Sequence, residues 1–459
     1  MCRRRSILWF VTCGVMIAPW PGEVSAQSPG WKGWRTGIAE TVITPEQPLW
    51  AAGYAARQRP AEGKMHDLRL KALALEAADG QRAVLITADV LGFPRASAER
   101  ICDIMEEKHG LPRDRIMLAA SHTHSGPVLE NALYDIYPLD ENQKAAIARY
   151  TRKLEAIAAE TAGRALEALR PASLAVFEGS ADFAVNRRNN AEAEVPASLA
   201  AGKPLQGPVN HRVPGMSVRD SQDKPIAAVF GYACHATVLD GYSWSGDYPG
   251  FAQLELESRI PGMTAMFFAG CGADQNPIPR RSAELCERYG KQLAEAVMEA
   301  MARPTRTLEP TLKTAFSTLE LKYEHPAEAT LRRMAEGRGY TARWAQRLLA
   351  ERESSVAWPD AYPYPVQVWR LGTDQYWVAL GGEVVVDYAN RLQERIAPGV
   401  WVAGYANDVM AYIPSRRVWE EGGYESGAFA VYGLPAERWQ PEIENLILAE
   451  VERLAEALR

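Results

Sequence analysis

Residues 83–120 read AVLITADVLGFPRASAERICDIMEEKHGLPRDRIMLAA. The first seven residues, Ala83 to Asp89, are largely apolar and predict a strand. A helix is predicted over Ser97 to His109, because a glycine and a proline follow it closely as stop signals. Ile116 to Ala120 is a second short apolar run and predicts a buried strand. This order of strand, helix and strand is typical of an α/β fold.

The same alternation continues along the whole chain, without an internal repeat or a compositional break that would divide it. We therefore predict the α/β fold class, as a single large domain over residues 27–459 with mixed β-sheets flanked by helices. Further strands are predicted at Leu68 to Leu75, Leu174 to Phe177, Ile226 to Tyr232, Thr264 to Ala269 and Leu312 to Leu321, with three more between Val366 and Ala403. Helices are predicted from Asp140 to about Leu169, and over Ser282 to Met301, Glu328 to Glu351, Tyr388 to Glu394 and Pro441 to Leu458. Exposed connections are predicted at Asn189 to Pro208 and Ser354 to Pro365.

The N-terminus has the pattern of a signal peptide over residues 1–26. Three arginines precede a mostly apolar stretch, Ile7 to Ala18, and Val24-Ser25-Ala26 resembles a small-residue cleavage site. The alternative is a membrane anchor, but the apolar stretch is short and ends at a proline. We therefore expect a secreted or periplasmic protein with no transmembrane segment in the mature chain.

Composition narrows the class of protein further. The chain has 459 residues, of which 47% are hydrophobic and 24% charged, which excludes a disordered or fibrous protein. The net charge is −6 and no long basic run occurs, so no nucleic-acid partner is expected. Four cysteines remain after residue 26, which would allow one or two disulfides in an oxidising compartment but not a disulfide scaffold. They are Cys102, Cys234, Cys271 and Cys286, and their pairing cannot be deduced from the sequence.

Histidines stand at the ends of two of the predicted strands. The strand that ends at Ala120 leads into His122-Thr-His124, and residues i and i+2 of an extended chain share one face. This His-Thr-His sequence is compatible with a metal site and equally with two histidines that make ordinary hydrogen bonds. His235 ends the strand that begins at Ile226, and Cys234 beside it faces the opposite way, which is more typical of a small buried residue than of a ligand.

A carboxylate would complete a metal site of two histidines. Glu383 follows an apolar strand and two glycines, which permit close approach of the backbone to a ligand. It is also a common residue in the first turn of a helix, where the dipole favours an acid. The loop Gly270 to Pro277 contains Asp274-Gln275-Asn276 and is compatible with presenting N–H and amide groups to a substrate, or with a tight turn.

Taken together, these segments resemble the neutral/alkaline (non-lysosomal) ceramidases. Ser121 to Pro127 resembles the His-Thr-His-Ser-Gly-Pro signature of that family. The other matching segments occur in the family's order and extend the similarity over about residues 34 to 433. They are Thr36 to Pro45 with Gly53-Tyr54, Asn186-Arg187, Phe230 to His235, Gly381-Gly382-Glu383 and Asn407 to Tyr412.

The resemblance implies a ceramidase-like catalytic domain with one zinc ion (Zn²⁺). Carried over residue by residue, the zinc ligands are His122, His235, Glu383 and Tyr412. The family's second histidine, beside the substrate carbonyl, corresponds to His124, and Arg187 corresponds to an arginine in its substrate pocket. The implied reaction is hydrolysis of the N-acyl bond of a ceramide-like lipid by zinc-activated water, and the expected partner is a small-molecule or lipid amide substrate.

The sequence departs from the family in two places. The loop serine to which a catalytic role is often assigned corresponds to Gln275, whose amide can hydrogen-bond a carbonyl or water but cannot act as a nucleophile. A direct attack by water is therefore favoured. A helix is also predicted at the end of the given sequence, so the family's C-terminal immunoglobulin-like domain is not expected. Two alternatives follow: a zinc hydrolase of another amide or ester, and a non-catalytic secreted binding protein on the same scaffold.

Overall fold

A computed structural model describes residues 31–303 and 305–459 of the chain. The predicted signal peptide, residues 1–26, lies outside the described residues and stays a prediction. Residues Gly33–Arg459 form one compact unit. Of the helices in the described part of the chain, none has the length and the apolar character needed to cross a bilayer.

Strands and helices alternate over the described residues. The strands are β1 (Trp34–Val42), β2 (Arg69–Glu76), β3 (Arg82–Ala88), β4 (Ile116–Ala120), β5 (Arg170–Ser180), β6 (Ala184–Asn186), β7 (Arg212–Asp220), β8 (Pro225–Tyr232), β9 (Thr264–Ala269), β10 (Gln275–Pro277), β11 (Arg306–Thr307), β12 (Leu312–Glu324), β13 (Ala361–Leu371), β14 (Gln375–Leu380), β15 (Glu383–Val384), β16 (Trp401–Ala403), β17 (Tyr412–Ile413) and β18 (Arg438–Trp439). The helices are α1 (Arg95–His109), α2 (Glu141–Glu167), α3 (Val195–Ala200), α4 (Asp247–Arg259), α5 (Ala283–Ala302), α6 (Glu328–Ala335), α7 (Tyr340–Glu353), α8 (Val386–Arg395), α9 (Arg416–Glu421), α10 (Tyr424–Gly427), α11 (Phe429–Tyr432) and α12 (Ile443–Ala457).

Two helix ends illustrate how local sequence sets these bounds. Helix α1 stops at Gly110, which has a φ of 63° and donates its N–H to the carbonyl oxygen of Glu106. Helix α2 starts at Asp140, whose side chain accepts from the N–H of Gln143 at 2.8 Å. The Gln143 side chain accepts in return from the Asp140 N–H at 3.0 Å, which completes a capping box.

The larger sheet brings distant parts of the chain to one edge. Its strand order is β4-β3-β2-β1-β5-β7-β8-β9, with β11 added to β5. The end pairs β3–β4 and β8–β9 are parallel, whereas the pairs between them are antiparallel. The sheet coils so that β4 and β9 approach each other, and Thr123 forms an isolated bridge with Ala236. The segments that follow β4 and β8 therefore meet.

A smaller sheet, of order β16-β14-β13-β12-β18, packs against the larger one. The core between the sheets contains side chains of both, including Trp34, Leu73, Trp369 and Trp377. On the outer faces, α1 and α2 cover one part of the larger sheet, α4 and α5 another, and α8 and α12 the smaller sheet. The layers are thus helix, sheet, sheet and helix. The predicted α/β class with mixed sheets flanked by helices is confirmed.

Three sequence predictions of local structure are wrong in part. The connection expected at Asn189 to Pro208 contains the short helix α3. The single helix expected over Glu328 to Glu351 is two helices, α6 and α7, separated where Gly339 adopts a φ of 83°. The connection expected at Ser354 to Pro365 ends earlier, because β13 begins at Ala361 and pairs with β12 despite its two prolines. Pro363 and Pro365 lie in the part of β13 that pairs with β12 alone, and a strand tolerates proline along such an edge.

Candidate metal centre and its surroundings

Four buried polar side chains converge where β4, β8 and β14 end. His122 and His124 follow β4, His235 follows β8 by three residues, and Glu383 comes three residues after the end of β14. Their exposed fractions are 1%, 9%, 1% and 3%. Ligand nitrogens of His122, His124 and His235 all lie within 4.8 Å of one another, so the three histidines could hold a metal ion.

Backbone carbonyls fix the orientation of two of the imidazoles. His122 Nδ1 donates to the carbonyl oxygen of Leu91 at 2.6 Å, and His235 Nδ1 donates to that of Gly272 at 2.8 Å. The Nε2 atoms therefore point into the cluster, where they lie 3.3 Å and 3.0 Å from Oε2 of Glu383. A backbone acceptor on the far nitrogen is the usual support of a metal-binding histidine.

The shifted pKa values of His235 and Glu383 favour a neutral imidazole and an ionised carboxylate. Burial, and then the nearby Arg187, lower the pKa of His235 to about 4, so this imidazole is neutral near pH 7. Burial alone would raise the pKa of Glu383, but His122 and His235 hold it well below 4.5. A carboxylate thus faces the free lone pair of a neutral imidazole.

A metal ion bound between the Glu383 carboxylate and the His235 imidazole would remove this unfavourable contact. Two donors at about 2.1 Å from one tetrahedral zinc ion lie about 3.4 Å apart, close to the 3.3 Å and 3.0 Å that separate Glu383 Oε2 from His122 and His235. Two imidazole nitrogens and a carboxylate oxygen are also a donor set that zinc prefers. The residues fit a zinc ion.

Three residues at or beside the cluster have a strained backbone. His122 has a φ of 57°, Tyr405 of 53° and Asn407 of 64°, all in the left-handed region that residues other than glycine rarely adopt. The ring of Tyr405 lies 4.0 Å from that of His122. The Asn407 side chain accepts from the backbone N–H of Leu118 at 3.1 Å in β4. Such strained residues commonly collect at functional sites, where the surrounding structure holds them in place.

His124 has one nitrogen inside the cluster and one outside it. Its Nε2 lies 3.3 Å from His122 Nε2, whereas its buried Nδ1 has no hydrogen-bond partner among the described residues. Gly53, with a φ of 98°, lets the imidazole fit, since a Cβ there would lie 2.3 Å from Nδ1. Arg57 donates to the His124 carbonyl oxygen at 2.7 Å, and burial lowers the pKa of His124 well below 6.5. The imidazole is neutral, with a free Nδ1.

Arg187 and Tyr412 form a second group of polar side chains next to the cluster. Tyr412 pairs with Glu383 across β15 and β17, and its hydroxyl accepts from Arg187 Nη2 at 3.3 Å. Arg187 also donates to Asn276 at 3.3 Å and to Glu425 at 2.8 Å. Burial opposes the charged form of Arg187, but Tyr412 and Glu425 raise its pKa well above the ordinary value of a guanidinium. The guanidinium is therefore a fixed positive charge.

A polar cavity of about 490 Å³ opens at Arg187. Its walls combine charged and amide side chains with a few apolar groups, and Tyr424 at its edge is 50% exposed. The polar lining is formed by Arg187, Arg188, Asn190, Glu192, Asn276, Glu421 and Glu425.

Gln275, the residue at the expected serine position, has its side chain fully engaged by backbone groups. Its Oε1 accepts from the N–H of Asn210 at 3.0 Å, and its Nε2 donates to the carbonyl oxygen of Ala233. Its own carbonyl oxygen accepts from the N–H of His235 at 2.9 Å. Gln275 is completely buried and ties three segments together; contact with a substrate stays a prediction.

Replacing Gln275 with serine should destabilise the protein. The shorter side chain would leave the Asn210 N–H and the Ala233 carbonyl unpaired in the interior, at a cost of roughly 2–4 kcal/mol. Urea unfolding measures this loss. Gln292→Ser, at an exposed side-chain contact with Asp182, is the control and should change stability by less than about 1 kcal/mol. Equal stabilities of the two variants would contradict the bridging role.

Two residues at this site were missed in the sequence. Glu425 binds both Arg187 and Arg188, and the Tyr432 hydroxyl donates to Glu383 Oε1 at 2.7 Å. Both lie in the segment from α10 to Gly433, whose cluster of glycines is the one signal of unusual backbone there. Nothing in the local pattern distinguishes Glu425 from an ordinary exposed acid.

The cysteines take no part in the cluster. Cys102, Cys234, Cys271 and Cys286 are all buried and free, so none of the disulfides that the sequence allows is formed. Burial raises the pKa of the Cys102 thiol to about 11, which makes it a weak nucleophile. Cys234 is buried, as the sequence predicted from its position beside His235.

These features define an α/β protein with a buried candidate metal centre at strand ends. The family model described as neutral/alkaline non-lysosomal ceramidase, N-terminal, matches residues 36–277, more than half of the chain. The chain belongs to this family. The matched range includes His122, His124, Arg187, His235 and Gln275, whereas Glu383 and Tyr412 lie beyond it.

Solved structures show the same fold. The neutral ceramidase from Pseudomonas aeruginosa aligns with a TM-score of 0.71 and 18% identity, over 94% of this chain and 75% of that chain. A structure described as ceramidase complexed with C2 aligns with a TM-score of 0.72 and 17% identity, over 93% and 75%. Among the curated protein sequences, none matches this chain.

Proposed function

We propose that the protein is a secreted or periplasmic zinc-dependent amide hydrolase that cleaves the N-acyl bond of a ceramide-like lipid. The observation that carries this proposal is the convergence of His122, His235 and Glu383 in one buried cluster, at donor separations that suit zinc. Membership of the ceramidase family supports the amide substrate. The signal-peptide pattern of residues 1–26 supports the location.

In this proposal His122, His235, Glu383 and Tyr412 hold the ion. A bound zinc supplies Lewis acidity and makes water acidic enough to react near pH 7. His124 accepts a proton from the attacking water at Nε2, the nitrogen that faces the cluster, and returns it to the departing nitrogen, so that the products are a carboxylic acid and an amine. Arg187, held by Glu425, stabilises the negative charge that develops on the carbonyl oxygen.

A second candidate keeps this centre but changes the substrate to another amide or an ester. Two observations favour it. Gln275 supplies no nucleophile, and its side chain is committed to backbone hydrogen bonds. The cavity beside Arg187 is lined mainly by charged and amide groups, which suit a polar substrate better than two long alkyl chains.

A substrate panel with metal control tests the proposal. The purified protein is assayed on short- and long-chain ceramides, N-acyl amino sugars, N-acyl peptides and simple esters, before and after removal of metal by a chelator. We expect amide cleavage that the chelator abolishes and stoichiometric zinc restores. Cleavage of sugar or peptide amides alone would favour the second candidate, and full activity without metal would refute both.

A further inference from the structure

Glu383 uses its two carboxylate oxygens differently. Oε2 lies 3.3 Å from His122 Nε2 and 3.0 Å from His235 Nε2, whereas Oε1 accepts the 2.7 Å hydrogen bond from Tyr432. The terminal torsion of a glutamate is broad and nearly two-fold, so an unsupported carboxylate would sample many orientations. The Tyr432 hydroxyl selects one orientation and leaves a single oxygen facing the histidines.

We propose that Tyr432 is a positioning residue for Glu383, which sets the affinity of the cluster for zinc without touching the ion. This inference rests on the proposed zinc site and adds a residue beyond the range of the family match. Outer partners that hydrogen-bond a ligating carboxylate commonly change metal affinity by 10–100-fold when they are removed.

Packing holds the Tyr432 ring at a junction of the fold. The ring lies against three hydrophobic clusters, which contain α1 with α2, α8 with α12, and α4 with α5. The next residue, Gly433, has a φ of 83° and accepts from Arg347 Nη2 at 2.6 Å. Arg347 is in turn paired with Asp135 at 2.7 Å. The hydroxyl is therefore presented from a restrained segment.

The same segment supports the neighbouring polar group. Glu425, in α10, binds Arg187 Nε at 2.8 Å and also pairs with Arg188. One short stretch of chain, Tyr424 to Gly433, thus fixes Glu383 through Tyr432 and Arg187 through Glu425. A displacement of this stretch would therefore disturb both the metal cluster and the Arg187 guanidinium.

The Tyr432→Phe variant tests the proposal, because it removes the hydroxyl and keeps the ring. We expect the zinc dissociation constant, measured by chelator competition, to rise about tenfold or more. The matched control is Tyr289→Phe. Tyr289 lies in α5, away from the cluster, and its hydroxyl donates to the carbonyl oxygen of Pro279 at 2.7 Å. The control should bind zinc as the wild type does. An unchanged affinity in Tyr432→Phe, or an equal loss in both variants, would overturn the proposal.

The stability of the metal-free variants separates positioning from general loosening. If Tyr432 acts on the ion only through Glu383, metal-free Tyr432→Phe and Tyr289→Phe should have similar free energies of unfolding, because each loses one hydroxyl hydrogen bond. A much larger loss of stability in Tyr432→Phe would contradict the proposal. A tenfold loss from Tyr432→Phe in a protein that cleaves no amide would support the role of Tyr432 while refuting the proposed reaction. Absence of zinc from the wild type would overturn both.

Discussion

Replacement of His122 by alanine should remove the bound metal and reduce amide hydrolysis by roughly 10³-fold or more. Its Nε2 lies 3.3 Å from both Glu383 Oε2 and His124 Nε2, so it stands between the other donors. Loss of this nitrogen leaves too few ligands to retain the ion, and the Lewis acid is lost with it. Metal content and initial rates, measured on the same preparation, check both effects.

The control for this experiment is a histidine outside the cluster. His109 is exposed at the end of α1, and His109→Ala should keep full zinc content and activity. Circular dichroism and thermal unfolding of His122→Ala should show a folded protein, because its neighbours form a continuous core. A folded His122→Ala protein that keeps its metal and its activity would refute the assignment.

Replacement of Arg187 by lysine should leave zinc in place and lower kcat by about 10²-fold. The guanidinium contacts Glu425, Asn276 and Tyr412 at once, and a single ammonium group cannot reproduce that fork. Glu425 keeps a partner in the variant, since Arg188 also pairs with it. The loss should therefore appear in the chemical step and not in folding.

The matched control for Arg187→Lys is Arg100→Lys. Arg100 also pairs with a buried glutamate, Glu155, but lies on α1, away from the cluster. Its replacement should leave kcat unchanged. If Arg187→Lys lost zinc, or retained the wild-type kcat with zinc bound, the oxyanion role of Arg187 would be wrong.

Local patterns were sufficient for the fold class. Short apolar runs predicted β4 and β9 at their observed bounds, and the helix predicted from Asp140 is α2, which Asp140 caps. The resemblance to the ceramidases, which rested on short segments in a fixed order, is confirmed by the family match over residues 36–277. The split between α6 and α7 was missed, because apolar periodicity continues across the glycines.

The site required information that spacing along the chain does not contain. His122 and His235 meet because the larger sheet coils until its two end strands approach, and no local pattern encodes that curvature. Glu425 and Tyr432 contribute through contacts at sequence separations of 238 and 49 residues. The sequence did not predict that the side chain of Gln275 joins two backbone segments; its contact with a substrate stays a prediction. The candidate metal-binding residues were identified in the sequence, and their supporting partners were not.

The most direct test of the central claim is an anomalous-scattering map of the crystalline wild-type protein at the zinc absorption edge. The account predicts one peak inside the cluster, within about 2.0–2.2 Å of His122 Nε2, His235 Nε2 and a Glu383 oxygen. A cluster without an anomalous peak, in protein grown with zinc and shown to be folded, would contradict it.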